Sequence, residues 1–443
     1  MPESRRLYVH CLSGLPSHRA QGRVPDNDGY PERALVAAGT GDLVCVPFPV
    51  DGDHLGFLNE LGVGPASGDV VVPSDAAGPA DLSLTTRLRS DRGLLARIAA
   101  AVPPGGILEL HPYSSTPEIL ALAGALESAG AARVRVLGGA PEAAARADQK
   151  HLVRAKAVEL GVPVATGEVV ELPFAGGRRR RDLEPVTAAV QRQLRHTGRV
   201  LVRGSAGAGG SSTFIVGEGR DHPEELIHRI GARADNRVYL VEALVDVAVS
   251  PNLHLRLDGC GHVTRVAATD QRWSRPLVHG GNVYPSGARL LDSMEGWART
   301  MAAWLRSEGY AGDVGFDFVE HHDHRTGAAA AFLAEVNPRV NGANYPLALR
   351  ERLNSARRDL GREPVEAFAS GALHTRARSF AQLRDALGEL LFSHQAGRGI
   401  VPYATGCLAR GRCPAVALAP SSREALELHA EAQDAMEASW AAR

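Results

Sequence analysis

Five short apolar runs, each bounded by turn-forming residues, recur through the first third of the chain. They are Leu7–Cys11, Leu43–Pro47, Asp69–Pro73, Gly106–Leu110 and Arg133–Leu137. Runs of this kind fit strands buried on both faces. Between the last two, Ser114–Gly130 opens with a Ser/Thr-Pro-Glu start and then places apolar residues at helical spacing. Strands alternating with such helices imply a parallel sheet in an α/β domain. That domain is expected over residues 1–147.

The next region reads differently. Gln149–Leu160 fits an amphipathic helix stopped by Gly161-Val162-Pro163. Phe174–Arg181 reads as a loop whose arginine run, Arg178–Arg181, is a solvated turn. A helix over Asp182–His196 leads to strand Arg199–Arg203, a Gly/Ser loop and strand Thr213–Val216. Helix Glu224–Ala232, strands Arg237–Val241, Leu253–Leu257 and Val263–Ala267, and helix Glu295–Glu308 follow. Gly312–Val319 and Ala330–Val336 read as a strand pair, joined by His321–Gly327. The adjacent histidines of that joint suit a polar turn better than converging metal ligands. From Pro346 the chain returns to helices and closes with Gly399–Tyr403, Ala415–Ala419 and a helix over Ser422–Trp440.

Composition narrows the function. A chain of 443 residues suggests about three domains. A formal net charge of -1 gives no electrostatic reason to expect nucleic acid or an anionic membrane as partner. No apolar stretch is long enough for a signal peptide or a membrane helix, so a cytoplasmic protein is expected. Five cysteines without zinc-like spacing are expected as reduced thiols. Only two lysines, Lys150 and Lys156, stand among 49 lysines and arginines. A lysine kept against so strong an arginine bias suggests chemistry that needs it.

The most informative segment is Glu335-Val336-Asn337-Pro338-Arg339-Val340-Asn341-Gly342. Alternation along a strand places Leu333, Glu335 and Asn337 on one face, with Phe332, Ala334 and Val336 facing a core. If Gly312–Val319 pairs with it, Asp317 joins Glu335 and Asn337 on one surface. Two carboxylates and a carboxamide oxygen form a hard-oxygen set suited to magnesium. Arg339 follows at the strand end, where it can stabilise a transferring phosphoryl group or a tetrahedral acyl intermediate. An exposed strand that merely carries Asp and Glu is the plain alternative.

The loop Arg203-Gly204-Ser205-Ala206-Gly207-Ala208-Gly209-Gly210-Ser211-Ser212 lets backbone amides approach phosphates. No Gly-Lys-Ser/Thr follows, so it is not a Walker A loop. A strand rather than a helix follows, so it is not a Rossmann fingerprint. Alone, it fits a flexible surface hairpin equally well.

The ordered set of Lys150, this loop, Val241-Glu242-Ala243-Leu244, Gly315-Phe316-Asp317 and Glu335–Arg339 resembles the ATP-grasp enzymes, over residues 148–350. The resemblance implies two lobes with a hinge near residues 242–246. It implies that Lys150 contacts nucleotide phosphates, and that Gly207, Gly209, Gly210, Ser211 and Ser212 belong to the phosphate flap. Glu242, Ala243 and Leu244 would form the hinge that binds adenine through backbone groups. Asp317, Glu335 and Asn337 would hold Mg2+, Arg339 would steady an acyl phosphate, and Asn341 would contact a substrate carboxylate. Arg203 stands where many members carry a second phosphate-binding lysine, and its larger planar head is not an equivalent.

Residues 1–145 and the tail with Gly399-Ile400-Val401-Pro402-Tyr403 resemble the pheganomycin-type peptide ligases, often labelled pre-ATP-grasp proteins. The resemblance implies an α/β protein with an N-terminal pre-ATP-grasp domain, an ATP-grasp domain at 148–350 and a C-terminal helical and small α/β unit at 351–443. The implied activity is an ATP-dependent ligase that joins a small-molecule carboxylic acid to an amino-acid or peptide amine through an acyl phosphate, in peptide natural-product biosynthesis. A homodimer is a family expectation. A carboxylase-like ATP-grasp chemistry and a catalytically inactive nucleotide-binding regulator are the alternatives.

Overall fold

The computed structural model describes residues 4–13, 15, 29–74, 82–131, 133–173, 180–206, 212–217, 226, 230, 236–258, 262–275, 278–323 and 326–441. The chain forms two compact units. Unit 1 comprises Met1–Pro141, Gly280–Ser286 and Arg339–Arg443; unit 2 comprises Glu142–His279 and Gly287–Pro338.

Unit 1 begins with the expected parallel sheet. Its strands are β1 (Ser4–Val9), β2 (Leu43–Cys45), β3 (Val70–Val71), β4 (Ile107–Pro112) and β5 (Val134–Val136), in the order β3-β2-β1-β4-β5. Every pairing is parallel. Leu7, Val9, Cys45, Leu108 and Leu110 fill one core with residues of the covering helices. Helix α1 (Pro117–Ser128) starts as its sequence dictates: Thr116 accepts a hydrogen bond from the Ile119 amide, and proline occupies the first turn. The first strand starts earlier than the sequence suggests, so His10 and Cys11 lie just past its end.

Unit 2 opens with helix α2 (Lys150–Glu159). Four antiparallel strands follow in the order β6-β9-β7-β8: β6 (Gly167–Glu171), β7 (Val200–Gly204), β8 (Thr213–Val216) and β9 (Val238–Ala243). Between β6 and β7, helix Glu184–Thr197 buries Val186, Ala189 and Val190 in the same core as Val200, Val202 and Val241. A second antiparallel array contains β10 (Val247–Val249), β11 (Pro251–Leu257) and β12 (Val263–Arg275). β13 (Val278–Tyr284) carries the chain into unit 1. Back in unit 2, helix α3 (Leu291–Ser307) precedes β14 (Gly312–His322) and β15 (Ala329–Asn337). β14 lies between β11 and β15, both antiparallel to it. The Asp323–Ala328 turn closes this hairpin through backbone hydrogen bonds, with residues 324–325 outside the described set.

Unit 1 then resumes with α4 (Asn344–Asp359), β16 (Ala367–His374), β17 (Gly399–Pro402), β18 (Arg412–Ala419) and helix Ser422–Ala441. The strands pair antiparallel in the order β13-β16-β18-β17. β13 and β16 are elements that apolar patterning does not reveal. The loop Phe174–Arg179 and most of Glu224–Ala232 lie outside the described residues. No helix among the described residues is long and apolar enough to cross a membrane.

Candidate active site

Two hydrogen-bonded neighbours fix the centre of the candidate site, which lies wholly in unit 2. Asp317 on β14 stands opposite Glu335 on β15 and opposite Asn252 on β11. Its Oδ2 accepts a hydrogen bond from Asn337 Nδ2 at 2.9 Å, and its Oδ1 accepts one from Asn252 Nδ2. These bonds hold the Asp317 carboxylate across three strands. Donation through Nδ2 leaves the Asn337 carboxamide oxygen as the group available to a cation. The Oδ1 of Asn252 is buried without a partner. Asn252 is absent from the sequence reading, because only the register of β11 on β14 shows that it faces Asp317.

The face that carries these groups is not made by simple alternation. The β14–β15 register slips after Asp317, which pairs with Glu335 while Phe318 pairs with Leu333. Ala334 is therefore a bulge residue. Beyond it the strand faces exchange: Leu333 is buried like Val336, and Phe332 is the partly exposed one. This corrects the expectation that Leu333 shares a face with Glu335 and that Phe332 points into the core. A bulge leaves a carbonyl without its ladder partner, and the Ala334 carbonyl accepts a hydrogen bond from Arg203 Nη1 at 3.0 Å.

Lys150, the first residue of α2, is buried, and its Nζ is 3.2 Å from Glu335 Oε1. Its backbone N–H donates to the Ser205 carbonyl at the mouth of the glycine-rich loop. His151 also meets Ser205, with Nδ1 and Oγ 2.6 Å apart. After α2, the Pro163 carbonyl accepts a hydrogen bond from the Leu333 amide, so the chain leaving the helix lies along β15.

The loop is held at both ends by Asn236. Its Oδ1 accepts from the Ala206 amide and its Nδ2 donates to Ser212 Oγ. Gly204 is required beside it, because a Cβ there would lie 2.5 Å from Asn236 Nδ2. Gly207, Gly209, Gly210 and Ser211 lie outside the described residues.

Arg203 and Glu242 meet through their side chains. Arg203 Nε and Nη2 both donate to Glu242 Oε2, at 2.9 and 2.7 Å. Arg154 Nη1 donates to Glu242 Oε1 at 3.0 Å. Glu242 is thus a buried carboxylate clamped between two guanidiniums. Burial works against the Arg203 charge, but Glu242, Glu335 and Asp317 outweigh it and raise the arginine further above its ordinary range. The amides of Ala243 and Leu244 donate to the Thr166 and Arg199 carbonyls. Those two amides are therefore engaged within the unit.

Arg339 and Asn341 belong to unit 1. Arg339 is buried and interacts with the Tyr113 hydroxyl. The Asn341 carboxamide oxygen accepts from the Ala343 amide, and the Asn341 amide donates to Asn344 Oδ1. Asn341 thus shapes the turn into α4.

The donor set fits magnesium. Among the described residues no cluster of three or more His, Cys, Asp or Glu stands ready for a metal. Two carboxylates and a carboxamide oxygen instead leave coordination open for water and phosphate oxygens, as Mg2+ prefers.

Residues 31–128 match the model of the Pre ATP-grasp domain. The whole chain also resembles solved structures. N5-carboxyaminoimidazole ribonucleotide synthetase from Thermus thermophilus matches with a TM-score of 0.51 and 17% identity, over 97% of each chain. Carboxyaminoimidazole ribonucleotide synthase from Aspergillus clavatus, complexed with ATP, matches at 0.52 and 13%, over 98% of each chain. Biotin carboxylase from Campylobacter jejuni, in a β-γ-ATP complex, matches at 0.53 and 12%, over 96% of this chain and 90% of that one. The chain has an ATP-grasp fold. No curated protein sequence matches it.

Proposed function

We propose that this protein is an ATP- and magnesium-dependent ligase that activates a carboxylic acid as an acyl phosphate and joins it to an amine. The observation that carries this reading is the buried Lys150 ammonium set 3.2 Å from Glu335, beside the Asp317–Asn337 pair. A cation and an acid set poised together suit a site that must accept both metal and polyphosphate. Asp317, Glu335 and the Asn337 oxygen would hold Mg2+, which when bound neutralises charge on the phosphates. Lys150 would exchange its ion pair with Glu335 for a phosphate oxygen. The Lys150–Ser205 bond and the Asn236 tie suit a glycine-rich loop that covers that phosphate and excludes water from the acyl phosphate.

In this reading Arg203 orders the acid set through Glu242 and the Ala334 carbonyl rather than serving as a second phosphate ligand. The Pre ATP-grasp match is consistent with this reading, in which an amino acid or short peptide is one substrate. The solved structures it resembles include carboxylating enzymes, so bicarbonate is the competing acid. A phosphate-release screen of amino acids and short peptides as acid and amine, with bicarbonate in parallel, tests the reading. Amine-dependent ADP formation supports the ligase. ADP formation that needs bicarbonate and no amine moves the protein to carboxylase chemistry, and no turnover with any pair removes the enzymatic reading.

A further inference from the structure

A partly buried cation to which no described residue offers a carboxylate sits in unit 1, which contains none of the residues used above for nucleotide or metal. Arg33 lies in the short helix Tyr30–Val36 that follows β1. Its guanidinium carbon is 3.9 Å from the centre of the Tyr30 ring and 5.9 Å from that of Tyr403. Its Nε is buried without a hydrogen-bond partner, and among the described residues no acid pairs with it. The adjacent carboxylate is unavailable. Glu32 accepts hydrogen bonds from the Thr405 amide, the Thr405 hydroxyl and the Gly406 amide, and lies 3.3 Å from His54 Nδ1. Burial raises its pKa, yet His54 and Thr405 hold it below the usual carboxylate range. Glu32 therefore locks the helix onto residues 405–406 and leaves Arg33 with no carboxylate partner among the described residues.

The place is as telling as the charge. In the order β3-β2-β1-β4-β5, the chain leaves β1 to one side and returns to β4 on the other. The crevice beyond the carboxyl ends of β1 and β4 is the topological switch point, where open α/β sheets hold ligands. His10 follows β1 and Tyr113 follows β4. The Tyr30 ring stands edge-on to Tyr113 and Tyr345, with centroids 5.9 and 6.2 Å away. Tyr345 Oη is 3.0 Å from His10 Nδ1. Tyr30 and Arg33 are the half-exposed members of this group, so a ligand can reach it at their edge. Burial pushes the Tyr403 hydroxyl up to about 12 and raises Tyr113 and Tyr345 as well, so the phenols stay neutral donors.

We propose that Arg33, framed by Tyr30, Tyr113, Tyr345 and Tyr403 at the switch point, anchors the carboxylate of an amino-acid or short-peptide substrate. One planar guanidinium fork matches one carboxylate, and phenol hydroxyls supply further donors. The aromatic faces suit an organic body better than a bare inorganic ion. The identity of the ligand rests on the ligase reading, but the site can be tested without nucleotide or turnover.

The test is calorimetry on the intact protein with free amino acids, their glycyl dipeptides, the matching C-terminal amides and ribose 5-phosphate, with ADP titrated separately. Wild type should bind at least one free acid and not its amide. Arg33→Gln should weaken that binding at least tenfold while ADP affinity and the circular-dichroism spectrum hold. Tyr345→Phe, which keeps the ring and removes the hydroxyl, should weaken it several-fold and serves if Arg33→Gln does not fold. Equal binding of the acid by wild type and Arg33→Gln overturns the proposal, as does binding of ribose 5-phosphate alone. ADP binding with no acid bound overturns it too and leaves the nucleotide site standing. Acid binding without ADP binding supports it and removes the ligase reading.

Discussion

Glu242 carries its structural weight through its side chain. Its carboxylate is clamped by Arg154 and Arg203, both buried or nearly so. Removing the acid would leave two guanidiniums facing each other away from water. Glu242→Ala should therefore cost about 3–5 kcal/mol of unfolding free energy, read from urea denaturation. A loss under about 1 kcal/mol would show that the clamp is solvated and weak. Glu335 behaves oppositely. It is part-exposed and its ion pair is with Lys150, so Glu335→Gln should leave the unfolding midpoint nearly unchanged while abolishing ATP turnover at limiting magnesium. Wild-type-like ADP formation would remove it from the site. Lys150→Ala should raise the KM for ATP at least tenfold, and unchanged nucleotide affinity would reduce Lys150 to a helix residue with an ion pair. Strand alternation in the sequence puts Asp317, Glu335 and Asn337 on one surface, and the structure sets Asp317 opposite Glu335 and within hydrogen-bond reach of Asn337. Asn252, Arg154 and Asn236 were not legible in the sequence, since each matters only through a partner 65, 88 or 24–30 residues away.

At the scale of elements, the parallel strands of unit 1 and the β14–β15 hairpin were readable because apolar or alternating runs mark them. The misses have physical causes. β16 is Ala-Phe-Ala-Ser-Gly-Ala-Leu-His, rich in residues of low strand propensity, and it forms because its neighbours bury it on both faces. β13 contains Gly280-Gly281, residues that weaken any strand signal. Gly281 is needed there because a Cβ would fall 1.8 Å from the Ser370 carbonyl oxygen. The Ala334 bulge leaves no composition signal, yet it decides which residues of β15 face the acid set. The same close-approach logic applies to the glycine-rich loop. Gly204→Ala would push the Asn236 carboxamide from its seat and release both loop ends. ADP affinity should fall about tenfold, roughly 1.4 kcal/mol, with a small change in thermal midpoint. ADP affinity at the wild-type level in Gly204→Ala would separate the loop anchor from nucleotide binding.

At the scale of the whole molecule, the buried histidines give acid-side proton linkage one sign in both units. Burial lowers His10 in unit 1 and His254 in unit 2 to about 3, with His111 adding a smaller repulsion at His10. Tyr345, Tyr113 and Tyr8 are the other groups packed around His10. His151 and His394 are lowered too, chiefly by partial burial. An unfolded histidine takes up its proton near 6.5. Between 6.5 and about 3 the unfolded chain therefore binds protons that the folded chain refuses, so stability rises with pH across that window and falls as the solution is acidified. Each fully buried histidine contributes a slope of up to about 1.4 kcal/mol per pH unit in mid-window. Glu32 and Asp91, held below the ordinary carboxylate range, add loss of the same sign below about 4.5. Three of the four tryptophans, Trp273, Trp297 and Trp304, lie in unit 2, so fluorescence during urea unfolding reports mainly on that unit. Between about pH 7.5 and 5, above the carboxylate range, its midpoint should fall steadily, and His254→Leu should flatten the fall. A midpoint independent of pH in wild type, or an equal slope in His254→Leu, would show that His254 is protonated at its ordinary pKa inside the fold.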